Sequence, residues 1–265
     1  MKKLFALPAC LLVASTVAGC TVMDVVGPRP NAEIVALARQ AAADEAAGSE
    51  LRGAQKQALV NEALRLCGTT PQGETPSSCS VELGELPAAA DTGSLVAMTA
   101  EAAKRVPEDS VDLVVAQAID AAAAGGVDLE DAHPGANELD AADPADAASQ
   151  KDILEREYAF QYGLGVAKAF GDDALADRIV ELDRASKERV AALVESVDGD
   201  TPETVAAPGY LIGDAEQPTD EASAAALVEH LRQNLVDEWR HTAAAANDPA
   251  WREAAIWLAA HAQRS

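Results

Sequence analysis

The sequence predicts an all-α protein, and three observations carry that reading. Alanine is abundant and recurs with leucine and valine at helical spacing. The apolar segments are punctuated by residues that begin and end helices: Asn31, Pro107 and Asp248 ahead of them, Gly68 and Gly125-Gly126 behind. No convincing stretch alternates apolar and polar residues as a half-buried strand does.

A leader precedes the first helix. The chain opens MKKLFALPACLLVASTVAGC, two lysines followed by an apolar run from Leu4 to Ala18 that is too short to span a membrane stably. Val17-Ala18-Gly19-Cys20 sets small residues directly before a cysteine, and this opening resembles a bacterial lipoprotein signal peptide. The resemblance implies that residues 1–19 are removed and that Cys20 carries a thioether-linked diacylglycerol with further acylation, palmitate among the acyl chains. Two or three chains bury enough CH₂ groups to hold a protein stably on a membrane. Residues 20–30, ending TVMDVVGPRP, then read as a tether.

The leader also decides how the cysteines are read. Cys10 departs with it and Cys20 takes the lipid, so Cys67 and Cys79 remain, flanking the turn-rich GTTPQGETPSS. Outside the cytoplasm two such cysteines are expected to pair. A loop this short stabilises by about 3 kcal/mol in the chain-entropy treatment. A redox pair would prefer C-x-x-C spacing, and two ligands make a poor zinc site.

Helices are expected from Asn31 to Ala47, with Asn31 as N-cap, and from Ser49 to Leu66, ending at Cys67-Gly68. Irregular Pro-, Gly- and Ser-rich sequence follows as far as Gly93. Two more helices cover Ser94 to Arg105 and Pro107 to Ala124, completing an N-terminal helical domain over residues 31–126. The acidic, small-residue stretch at 127–150, which contains His133, reads as a linker. In the C-terminal domain, 151–265, Ser149 is expected to cap a helix to Phe170, and Asp172 or Asp173 one to Val197. Thr219 should cap a helix to Ala246, and Asp248 with Pro249 should open the last. Both halves read helix, helix, long proline-bearing loop, helix, helix. That order suggests two tandem four-helix units, or one larger domain with the N-terminal helices packed on the C-terminal bundle.

Charge excludes some partners. The chain carries −24, and loss of Lys2 and Lys3 with the leader makes it −26. Such a surface repels nucleic-acid phosphates and anionic headgroups, leaving the lipid to do the anchoring. There is no G-x-S-x-G, P-loop, dinucleotide fingerprint or H-E-x-x-H, and no acidic loop has EF-hand spacing.

At EREYAFQYGLGVAKAF the chain resembles the first helix of an actinobacterial ferritin-like family of unknown function, through Glu155, Tyr162 and Gly163. The resemblance continues through DRASKERVAAL, through PGYLIGDAEQPTDEASAAALVEHL and to the tryptophan-bearing end, spanning about residues 150–265. It implies a four-helix bundle, an actinobacterial envelope and the outer face of its plasma membrane. Arg156 and Asp183 stand where the family pattern has histidines.

That likeness raises the question of a metal. DEWRH at 237–241 sets Glu238 and His241 three residues apart, the spacing by which di-iron bundles present carboxylate and imidazole. Helical phase leans Glu155, Asp183 and Glu238 toward the expected core, with His241 at its edge. Three carboxylates and one histidine fall short of a di-metal set. A single Fe²⁺, Mn²⁺ or Zn²⁺ held by Glu155, Asp183, Glu238 and His241 is one expectation. Acids tied down by Arg156, Tyr158, Tyr162 or a neighbouring helix are the other. Tyr158, Phe160 and Tyr162 read as core, and Trp257, off the last helix's stripe, as the mark of a contact surface. No residue is assigned to catalysis. The expected function is non-catalytic binding or scaffolding of an envelope protein, with metal binding or apolar-ligand carriage as alternatives.

Overall fold

The computed structural model describes residues 27–127, 129, 143–196, 206–207, 209–210 and 216–265. Cys20 and His133 lie outside the described residues. Eight α-helices and one 3₁₀ turn are present among them, with no strand. α1 (Ala32–Ala46) starts where the Asn31 side chain accepts from the Glu33 and Ile34 amides at 3.0 and 3.1 Å. α2 (Glu50–Cys67) stops at Gly68, whose φ of 76° is a left-handed conformation that glycine adopts without a Cβ penalty. Cys67 then bonds to Cys79 at the end of the 3₁₀ turn Ser77–Cys79, with Sγ atoms 2.15 Å apart.

The irregular segment beyond Cys79 is strapped along α1. Arg39 Nε donates to the Glu82 carbonyl at 2.9 Å, Gln40 Nε2 to the Pro87 carbonyl at 3.2 Å, and the Ala89 amide to Asp44 Oδ1 at 2.8 Å. α3 (Thr92–Ala103) and α4 (Glu108–Gly125) follow as a hairpin.

α5 (Pro144–Lys168) begins earlier than the sequence reading placed it. Asp143 is the cap, accepting from the Ala145 and Asp146 amides at 2.8 and 3.2 Å, with proline in the first turn, so residues 144–150 of the expected linker are helical and Ser149 lies inside α5. A distant contact helps fix this start: buried Asp146 accepts from the amides of Asn247 and Asp248. α6 (Asp173–Ser196) opens with Asp172 accepting from the Leu175 amide. α7 (Glu221–Ala245) is capped by Asp220 rather than Thr219. Asp220 and Ser223 exchange side-chain-to-backbone bonds, a capping box built with serine where glutamate is usual. α8 (Pro249–Arg264) starts at Asp248-Pro249, as expected.

Short turns make α5–α6 and α7–α8 antiparallel neighbours. α5 also packs on α7 and α6 on α8, which closes a ring of four helices. The N-terminal helices are not separate from it. α4 packs on both α7 and α8, and α3 on α8, so one buried cluster runs through all eight helices. Polar contacts cross the same seam: Arg240 Nη2 meets Asp120, Gln263 Nε2 donates to Asp120 at 3.1 Å, and Arg264 Nη1 donates to the Ala123 carbonyl. α8 is therefore buried on almost every side, Ile256 and Trp257 included. Trp257 does mark a contact surface, and the surface is internal. Among the described residues no helix is long and apolar enough to cross a membrane.

Candidate functional site

The four residues predicted as metal ligands do not converge. Glu155 and His241 are exposed. Asp183 is paired with Lys187 one turn along α6, at 2.6 Å. Glu238 sits 3.8 Å from Arg156 Nη2, with both side chains well exposed to solvent. Among the described residues no group of three or more His, Cys, Asp or Glu is placed to hold a metal ion. The tyrosine reading is corrected in part as well. Phe160 is core, Tyr158 is half-buried, but Tyr162 is exposed and lies against Tyr210 with ring centroids 6.0 Å apart.

The acid at the centre of α5's buried face is Glu157. Ile153, Phe160, Leu164 and Ala167 line the buried face of the helix, and Glu157 occupies the middle of that row at 0 % exposure. α6 answers with a base in the same situation: Ile179, Leu182, Ser186 and Leu193 are buried, with Arg189 between them at 1 %. Arg189 Nε donates to Glu157 Oε1 at 2.6 Å and Nη2 to Oε2 at 3.2 Å, a two-pronged pair. Ser186 Oγ donates to Oε2 at 2.6 Å, and from α7 the Trp239 indole Nε1 donates to Oε1, also at 2.6 Å. Gly163 leaves room for the Leu231 side chain of α7, since a Cβ there would lie 2.5 Å from Leu231 Cδ1.

The carboxylate thus accepts four hydrogen bonds, which uses the lone-pair sites of both oxygens. Its negative charge is held beside a permanent cation, and both are removed from water. Such a pair is costly to assemble but costlier to break, because either partner left alone is an uncompensated buried charge. The network continues outward. Gln161 Nε2 donates to Ser186 Oγ at 2.9 Å, and Arg189 Nη1 reaches His261 Nδ1 and Ser265 Oγ, both at 3.3 Å. A guanidinium can only donate, so the facing Nδ1 is the acceptor and the proton of neutral His261 sits on Nε2. Nε2 lies 3.6 Å from Glu188 Oε2. Burial and then the Arg189 charge push the His261 pKa down to about 4, outweighing the pull of Glu188.

The N-terminal half has one buried pair of its own among the described residues, Asp44 with Arg52 at 2.9 Å. Glu62, itself nearly buried, takes the exposed Arg65 and buried Ser110, an arrangement that holds the Glu62 carboxyl below its ordinary pKa chiefly through the Arg65 hydrogen bond. Both arrangements tie neighbouring turns or helices together.

Residues 149–265 match a family described as a domain of unknown function (DUF4439). The match covers nearly all of α5 and the whole of α6, α7 and α8, so the Glu157–Arg189–Trp239–His261 network falls entirely within it. No curated protein and no solved structure matches the chain.

Proposed function

We propose that this chain is a lipid-anchored extracytoplasmic protein whose helical body binds or scaffolds a partner in the cell envelope without catalysis of its own. The observation that carries the reading is the saturation of Glu157. The most enclosed carboxylate of the C-terminal helices has no lone pair left for a metal or a substrate proton, and its neighbours hold helices together. The ring of α5, α7, α8 and α6 supports a ferritin-like arrangement used for shape. Small residues before Cys20 support lipidation, and the Cys67–Cys79 disulfide supports an oxidising compartment.

The test is expression of the full chain in a bacterium that processes lipoproteins, fed an alkyne-bearing palmitate. The full chain is expected in the membrane fraction with label, and Cys20→Ala is expected to lose both. A labelled Cys20→Ala protein, or an unlabelled soluble wild type, removes the anchoring. Elemental analysis after exposure to Fe²⁺, Mn²⁺ and Zn²⁺ tests the other half: one tightly held ion per chain would return a metal function to the molecule.

A further inference from the structure

A groove of about 320 Å³ lies between α6, the end of α8 and Val127, which follows α4. Arg178 and Arg184 of α6 and Arg264 of α8 line it, with Glu181 and Glu188 as the acidic side chains of its wall. Three guanidiniums against two carboxylates reverse the balance of the chain as a whole, which has 20 lysines and arginines against 44 acids. Both glutamates are already engaged. Arg184 Nη1 donates to Glu188 Oε1 at 2.7 Å. Arg178 Nη1 lies 3.7 Å from Glu181 Oε2, and its Nη2 donates to the Ser265 main-chain oxygen at 2.8 Å. The Arg264 side chain makes one hydrogen bond among the described residues, from Nη1 to the Ala123 carbonyl, so its charge has no carboxylate partner there. A guanidinium carries five N–H donors, so each of these three exposed arginines has donors to spare. His261 adds one more at the inner wall. Its Nδ1 is turned to buried Arg189, and its Nε2 lies 3.6 Å from Glu188 Oε2, too far for a good hydrogen bond.

Donor chemistry selects the ligand. Guanidinium and imidazole N–H groups favour anionic oxygen, and arginine suits phosphate in particular. Donors brought from two helices serve an anion with several oxygens better than a single carboxylate, whose two oxygens one guanidinium already satisfies. The chain's charge of −24 then sets the size. A small anion inside the groove feels mainly the charges beside it, because those farther than about 8–10 Å are screened at physiological salt. A nucleic acid or an anionic membrane would also lie against the acidic surface around the groove and is repelled. We infer that this groove binds a small free phosphate compound, inorganic phosphate or a compact monoester, with its oxygens held by Arg264, Arg184 and His261 Nε2–H. Arg178, drawn to the Ser265 oxygen and toward Glu181, borders the site. The inference goes beyond the partner-binding reading above and depends neither on it nor on the lipid anchor.

The experiment is a titration of the full chain, in nanodiscs of neutral lipid, with inorganic phosphate and with phenyl phosphate at constant ionic strength. Labelled at the histidine Cε1 carbon, the chain gives four imidazole signals by NMR. The one that disappears in His261→Gln is expected to shift saturably with either phosphate and to stay in place with matched chloride. Arg264→Gln is expected to weaken binding about fivefold, and Glu181→Gln, which removes an anion from an exposed position on the wall, to tighten it about twofold. The two variants are surface changes with opposite expected signs, so a loss of fold cannot imitate both. No saturable shift of the His261 signal, equal binding by Arg264→Gln, or weaker binding by Glu181→Gln overturns the inference. A larger His261 shift in nanodiscs bearing phosphatidic acid than with free phosphate overturns the choice of a free ligand. Membrane retention through Cys20 is read separately in the palmitate assay, so failure of one leaves the other standing.

Discussion

Replacing Arg189 by methionine tests the central claim about the core. The change keeps most of the side chain's length and apolar stem but removes two of the four donors that hold Glu157 and the cation beside it. Ser186 and Trp239 remain as donors, too few to solvate a carboxylate at 0 % exposure. Breaking one side of a buried pair costs about 3–5 kcal/mol. In a chain of this size each kcal/mol lowers Tm by about 2–4 °C, so Arg189→Met should lose roughly 6–20 °C. The compensating double variant, Glu157→Leu with Arg189→Met, removes the stranded charge and should recover most of the loss, because an apolar pair of similar volume is often neutral or better. Thermal and urea unfolding followed by far-ultraviolet circular dichroism reads both variants. If Arg189→Met costs less than about 1 kcal/mol, the pair is not buried as described. If the double variant is as unstable as the single one, lost packing and not stranded charge is the cause.

Three further outcomes follow from the same structure. Replacing Cys67 and Cys79 together by serine should cost about 3 kcal/mol by the chain-entropy treatment for so short a loop, seen as a lower urea midpoint equal to that of the wild type under reductant. His261 titrates at about 4 in the fold and near 6.5 in the unfolded chain, so between those values the unfolded state binds more protons and stability must rise with pH. Its contribution is complete above pH 6.5 and is lost as pH falls toward 4, amounting to roughly 2 kcal/mol at pH 5; His261→Gln should flatten that part of the stability profile, and an unchanged profile would refute the burial of the ring. Glu238→Ala should change stability by no more than about 0.5 kcal/mol and leave metal content as it was, since its partner Arg156 and it are both surface side chains.

What the sequence reveals and what it hides divides along a physical line. Asn31, Gly68 and Asp248-Pro249 act on their own neighbours within a turn, so their roles are legible without the rest of the chain. Asp143-Pro144 carries a start signal of the same local kind, but an acidic, small-residue context makes it look like linker. Its firmness comes from Asp146 gripping the α7–α8 turn a hundred residues away in the chain. Reading Tyr158 and Tyr162 as core turns Glu155 inward, but these large amphipathic side chains do not form the inner face: Tyr162 is exposed and Tyr158 only half-buried. The row through Ile153, Phe160, Leu164 and Ala167 is the better one, and it puts Glu157 at its centre. Ile179, Leu182, Ser186 and Leu193 do the same for Arg189. An acid and a base, each alone in the middle of an apolar stripe on consecutive helices, is a sequence signal for a buried pair. Isolated Glu-x-x-His spacing on a helix rich in exposed charge is a much weaker signal for a metal.

The burial of α8 bears on how the two halves are related. A helix serving only as the fourth member of a bundle needs one apolar stripe, and Trp251, Ala255, Leu258 and Ala262 provide it. Ala254, Ile256, Trp257 and Ala260 are apolar and buried as well, which a bundle alone would leave facing water. α3 and α4 are the elements that pack on α8 from outside the ring, and Asp120 and Ala123 of α4 take hydrogen bonds from Arg240, Gln263 and Arg264 at the same seam. The segment from 149 to 265 matches one family model, yet in this chain its last helix is a core element shared with the helices before it.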